Sequence, residues 1–146
     1  MKIFVSHSTD AVREAARFKD LMLSGNPLAK VFLSSDWESI PAGAIWLEAI
    51  ENALSECDYF VALITKENDA KRLWVNYETG FVRSRRLLPK LIVFSGIDPK
   101  RIEYPLAGIQ FLMSGDTNRW LLEFSLMGLT VSKELEKQFA ALFEHR

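Results

Sequence analysis

A single cysteine, Cys57, stands in a chain of 146 residues. No disulfide can close within the chain, which excludes the small stapled folds of secreted proteins and fits a reducing compartment. Histidine is nearly as scarce: His7 and His145 stand at opposite ends, and with one cysteine they cannot build a zinc centre of the usual kind. Neither sign of charge dominates. Eighteen Lys and Arg against 19 Asp and Glu leave a formal net charge of -1, with no electrostatic footprint for nucleic acid or an anionic membrane. Arg83, Arg85 and Arg86 form a small local basic cluster, read as a solvated helix end. Long apolar runs are missing too: Ile3-Phe4-Val5 is far shorter than a signal-peptide core, and no later stretch is long and uncharged enough to cross a bilayer. The expectation is a soluble, cytoplasmic protein.

Several chemical signatures are absent as well. There is no Gly-rich dinucleotide or Walker loop, and no G-x-S-x-G elbow. A phospho-receiver domain would want an aspartate at the end of its central strand, but Ile64 is followed by Thr65-Lys66. No internal repeat, low-complexity segment or linker divides the chain. With 49% hydrophobic residues it is long enough for one domain with a proper core and too short for two of ordinary size.

What is present alternates. Ile3-Phe4-Val5, Val31-Phe32-Leu33, Tyr59 to Ile64 and Leu91 to Phe94 are short β-branched and aromatic runs; the third, unbroken by polar residues, reads as a central strand covered on both faces. Between them lie helical patterns: Ala11 to Leu23, stopped by Gly25-Asn26-Pro27; Trp46 to Cys57, with a strong apolar face; and a helix from about Arg72 to Arg86. Thr65 to Asp69 reads as a polar loop. Phe111-Leu112-Met113 suggests a short edge strand, Trp120 to Met127 a helix, and Leu135, Phe139, Leu142 and Phe143 a final helix started near Ser132. The pattern predicts a three-layer α/β domain, with a flavodoxin-like parallel sheet of about five strands flanked by helices. Sites in such sheets lie outside the carboxyl ends of the strands, where Ser6-His7-Ser8, Ser34-Ser35-Asp36-Trp37 and the loop before the third helix would converge.

One residue in that helix is out of place. Three and four residues from Glu78 lie Trp74, Val75, Phe81 and Val82, so the carboxylate shares the buried stripe and has no local basic partner. Burial without a counter-charge costs several kcal/mol or raises the pKa, so such an acid lines a wet or ligand-filled cavity unless it reaches a distant arginine or caps another helix. Bland readings compete elsewhere too: Ser8 or Thr9 as a cap of the first helix, His7 as a loop residue fixed by hydrogen bonds, Trp46 as core packing.

Taken together and in order, Ile3-Phe4-Val5-Ser6-His7-Ser8 with Asp10, then Ser35-Asp36, Ile40-Pro41-Ala42-Gly43 and Trp46, then Trp74 with Glu78, resemble the boxes of the TIR domain family over roughly Lys2 to Gln110. Many members of that family cleave NAD+ at the bond between nicotinamide and ribose. The resemblance implies an NAD+ glycohydrolase, with or without cyclisation of ADP-ribose, in defence or cell-death signalling. NAD+ is then a substrate, and no cofactor or metal is called for. It implies that Glu78, four residues after Trp74, is catalytic, and that Ser6, His7, Ser8, Asp36, Trp37, Gly43 and Trp74 bind substrate, Trp37 by stacking on a ring. It further implies self-association through the loop from Trp37 to Trp46, to which Gly43 lends backbone freedom, and partners among other TIR domains or a fused or associated sensor or effector. The competing readings are a non-catalytic TIR module that scaffolds or senses a nucleotide, and a glycosidic transferase acting on nucleosides.

Overall fold

The apolar runs pair as five parallel strands: β1 (Lys2–Ser6), β2 (Lys30–Leu33), β3 (Tyr59–Ile64), β4 (Lys90–Val93) and β5 (Phe111–Met113), in the order β2-β1-β3-β4-β5. This is the flavodoxin-like order, in which direction of winding reverses between β1 and β3. The computed structural model describes residues 1–36, 42–43 and 45–144. Register places Phe4 beside Phe32 and Phe60, and the three rings stack across the sheet with centroids 5.3 and 5.8 Å apart. Aromatic rows of this kind fix register, because a one-residue slip would turn every ring to the opposite face.

Helices cover both faces. On one, α1 (Val12–Gly25) packs against α5 (Lys133–Glu144), with α4 (Thr117–Leu126) closing the layer. Phe18 of α1 meets Phe124 and Phe139 edge-on at 6.1 and 5.8 Å, and the buried Trp120 donates its indole N–H to the carbonyl of Ser114. On the other face α2 (Trp46–Glu56) packs against α3 (Leu73–Ser84), and the buried apolar residues form one continuous core. The parallel sheet, the three layers and the C-terminal edge strand match the sequence expectation. Ser132 starts α5 as foreseen, its hydroxyl accepting the Leu135 N–H at 3.1 Å. Among the described residues no helix is long and apolar enough to cross a membrane.

One expectation needs correction. Thr65 to Asp69 is not a plain polar loop: Glu67–Lys71 forms a 3-10 turn, and Asp69 is fully buried. The basic cluster is a solvated helix end as expected, with Arg83, Arg85 and Arg86 all exposed at the end of α3. Arg85 also reaches the end of the neighbouring helix and donates from one guanidinium nitrogen to the carbonyls of Leu54 and Cys57, where α2 runs out of intrahelical donors. Replacing Arg85 by Ala is expected to lower stability by ~1–2 kcal/mol in urea unfolding, and Arg85→Lys to restore little, since an ammonium lacks the fixed fork.

Arg86 takes a third course. It ends α3 in the left-handed region, φ 64°, with the Leu87 N–H bonded to the Val82 carbonyl and its own N–H to the Arg83 carbonyl. That is the Schellman arrangement, whose turning residue is ordinarily glycine because a Cβ there costs ~1–2 kcal/mol. Here the position carries a long cation.

Candidate functional site

The carboxyl ends of β1, β2 and β3 bring their polar residues to one edge, as the alternation of strands and helices requires. Ser6, the last residue of β1, is fully buried and donates its hydroxyl to Oε1 of Glu78 at 2.8 Å. Glu78 is also fully buried, one turn into α3 and flanked by Val75 and Val82. No ion pair reaches it, and Oε2 has no hydrogen-bond partner among the described residues. Burial therefore dominates its acidity and pushes the pKa from an ordinary 4.5 to about 8, the Ser6 hydroxyl opposing only in part. The acid is neutral at pH 7 in this state. The open, wet cavity expected beside it is not among the principal clefts of the described residues; the side chain is sealed, though by apolar neighbours and a serine and not by an arginine.

His7 follows Ser6 and is also buried. Its Nδ1 lies 2.7 Å from the Ser8 carbonyl, which can only accept, so the proton is on Nδ1. Its Nε2 lies 2.9 Å from the Ser35 hydroxyl. Burial lowers the His7 pKa, against the raising influence of the Ser8 carbonyl and of the Asp36, Asp69 and Glu14 carboxylates, so Nε2 is a lone pair that accepts from Ser35. The loop-fixing reading of His7 thus describes its contacts well. Ser8 does not cap the first helix through its side chain: its carbonyl accepts the Ala11 N–H at 3.0 Å, while Oγ is buried without a partner among the described residues.

The remaining expected site residues part company. Asp36 accepts the Leu33 N–H at 2.8 Å and pairs with Lys19 at 3.4 Å, closing the turn after β2. Trp74 stacks on Trp46 at 4.8 Å and on Tyr77 at 5.2 Å, with interplanar angles of 21° and 7°; its ring is engaged by protein in a ladder between α2 and α3. Trp46 is correspondingly half-buried in that ladder. Gly43 adopts φ 85°, which only glycine takes without strain, and stands exposed. Trp37 lies outside the described residues.

The sequence reading passed over Asp69. Its Oδ2 accepts the Thr65 N–H at 2.7 Å, the Thr65 hydroxyl at 2.6 Å and the Lys66 N–H at 3.1 Å, while Oδ1 is buried without a partner among the described residues. The signal was an acid three residues after the start of a short helix, reaching back to the first N–H. Beside this turn a cleft of about 450 Å³ opens between Asp10, Glu14, Thr65, Lys66, Ser95 and Ile97, and Asp10 bridges Lys66 and Arg72 at 3.3 and 3.1 Å on its rim.

A pattern emerges from the atoms left unpaired. Ser8 Oγ, Glu14 Oε2, Asp69 Oδ1, Arg72 Nε, Asn76 Oδ1 and Glu78 Oε2 are buried with no partner among the described residues, and all belong to segments that follow β1 or β3. Buried polar atoms are ordinarily satisfied, so these six stand out against the rest of the described core. Among the described residues no three of His, Cys, Asp and Glu are grouped to hold a metal ion. No family model matches the chain, and no curated protein matches it significantly.

Proposed function

We propose that this protein cleaves NAD+ between nicotinamide and ribose, with Glu78 as the catalytic residue. The observation that carries the reading is a fully buried carboxyl group whose Oε1 is held by Ser6 and whose Oε2 is unpartnered among the described residues. An acid so placed gains most from a cationic guest. The nicotinamide ring is a cation, and as its bond to C1′ of ribose breaks, the electron pair leaves with the ring and positive charge moves to the sugar. A carboxylate beside C1′ stabilises that charge, as in glycoside hydrolysis; water then adds to C1′ and releases a proton, giving ADP-ribose. Oε2 would also accept a ribose hydroxyl. The resemblance to TIR domains supports the same residue on independent grounds, namely its place four residues after Trp74. Substrate entry requires the apolar cover over Glu78 to move aside.

The unliganded group titrates near 8, so the ionised, active form gains population as pH rises. The value of kcat/KM is expected to climb about tenfold per pH unit below that point and level off above it. Purified protein at high concentration should release nicotinamide and ADP-ribose or its cyclised form, detected by chromatography. Glu78→Gln should release at least ~100-fold less. Wild-type protein that leaves NAD+ intact at every concentration would remove the proposal.

One observation favours a second reading, a non-catalytic association module. Ile45, Leu47 and Leu73, chain neighbours of Trp46 and Trp74 in the Trp46–Trp74–Tyr77 ladder, are exposed apolar side chains. If association alone is the function, Leu73→Asp abolishes it and biological output together, while Glu78→Gln leaves output unchanged.

A further inference from the structure

A second cleft lies away from the edge that carries Glu78. It lies at the opposite edge, where β4 and β5 begin, encloses about 590 Å³, and is lined by Arg83, Arg86, Lys90 and Arg119 together with Leu87 and Ile109. Its size is that of a small-molecule site rather than of a flat macromolecular interface. Lys90 is neutralised by Glu123 at 2.6 Å, the lone acid in the lining. The three arginines are not: none makes an ion pair or side-chain hydrogen bond among the described residues. Three unpaired guanidiniums around one partly apolar cleft, with Glu123 as its single acid, are a local excess of positive charge in a chain whose net charge is -1.

A second observation singles out the same place. Arg86 occupies the left-handed position of the α3 cap at φ 64°, where glycine would relieve the strain and remove the charge. Its neighbour Arg85 is spent on the carbonyls of Leu54 and Cys57, so the basic run divides: one guanidinium braces the fold and two turn to the cleft. We infer that this cleft binds a nucleotide-sized organic polyanion, a molecule with at least two phosphate groups and a flat apolar portion. Guanidinium forks suit phosphate oxygens bidentately, and Leu87 and Ile109 offer a surface to the uncharged part. The cleft shares α3 with Glu78 but lies at the helix's C-terminal end, beside the starts of β4 and β5 and away from the edge where Glu78 meets Ser6.

The test uses ADP, inorganic pyrophosphate and adenosine as probes in calorimetric titrations of the whole chain. ADP and pyrophosphate should bind, adenosine should not, and ADP should bind more tightly than pyrophosphate. Arg119→Ala and Arg86→Gly should each weaken ADP about tenfold, the loss of one charge-assisted contact. Arg86→Gly relieves backbone strain, so its melting temperature should be no lower than wild type, which separates lost binding from lost folding. Glu78→Gln should bind ADP as wild type does, even if it cleaves nothing. Absence of ADP binding, or ADP binding that neither arginine substitution weakens, overturns the inference.

Discussion

Glu78→Gln is expected to make the protein more stable, by ~3 kcal/mol at pH 7 and ~5 kcal/mol at pH 9, and to leave stability unchanged at pH 4. The sign follows from linkage. In the folded protein Glu78 keeps its proton up to about pH 8, whereas an unfolded chain releases it near 4.5. Between those values the folded state binds the extra proton, so stability is full below the lower value and declines as pH rises through the upper one. Glutamine cannot ionise and escapes the decline. Its amide oxygen can still accept the Ser6 hydroxyl, so the isostere costs little where the acid is protonated. His7 contributes with the opposite sign: its lowered pKa removes stability as pH falls below its ordinary value of 6.5. Because His7 is common to both proteins, the difference between wild-type and Glu78→Gln urea-unfolding curves, taken from pH 4 to 9, isolates the carboxyl group. Parallel profiles would mean that Glu78 is hydrated or paired, contrary to the geometry. A residue whose neutral replacement strengthens the fold while ending turnover is held against stability, as residues of functional sites commonly are.

The fold was legible because its signal is repeated. Four apolar runs of strand length, each followed by a helix or a turn, leave few topologies once right-handed crossovers are required. Glu78 was legible for a different reason, as the one acid on an apolar stripe, and Ser6 through its place at the end of the first strand. What escaped were contacts that depend on tertiary geometry. Asp69 looks like any polar loop residue until the turn carries it under Thr65; Arg85 and Arg86 are adjacent in sequence but diverge because α3 ends between them and the chain reverses at Arg86. Trp74 shows the same limit from the other side. The resemblance implied a substrate contact for it, and the packing of its ring on Trp46, 28 positions earlier, could not be foreseen because no local pattern connects the two.

Asp69→Ala should be among the more destabilising single changes in the described structure, at ~2–4 kcal/mol, because it removes the shared acceptor of two partly buried backbone N–H groups and a hydroxyl at once. Asp69→Asn is the informative companion. Its amide oxygen, placed where Oδ2 now accepts from Thr65 and Lys66, preserves all three bonds, and its NH2 falls where Oδ1 already lacks a partner among the described residues, so the cost should be ~1–2 kcal/mol. The consequences extend to the candidate site. The Asp69 carbonyl accepts the Arg72 N–H at 3.2 Å, and the side chain of Asn76 donates to the carbonyls of Ala70 and Arg72, so this turn sets the entry of α3 and with it the position of Glu78. Asp69→Ala should therefore depress NAD+ cleavage even at temperatures where it remains folded, while Asp69→Asn retains most of it. Asp69 also raises the His7 pKa through its charge, so in the Asn variant the His7 imidazole should titrate lower still, a shift that NMR of the ring protons reads directly. An Asn variant as unstable as the Ala variant would mean that the charge of Asp69, and not its hydrogen bonds, holds the turn.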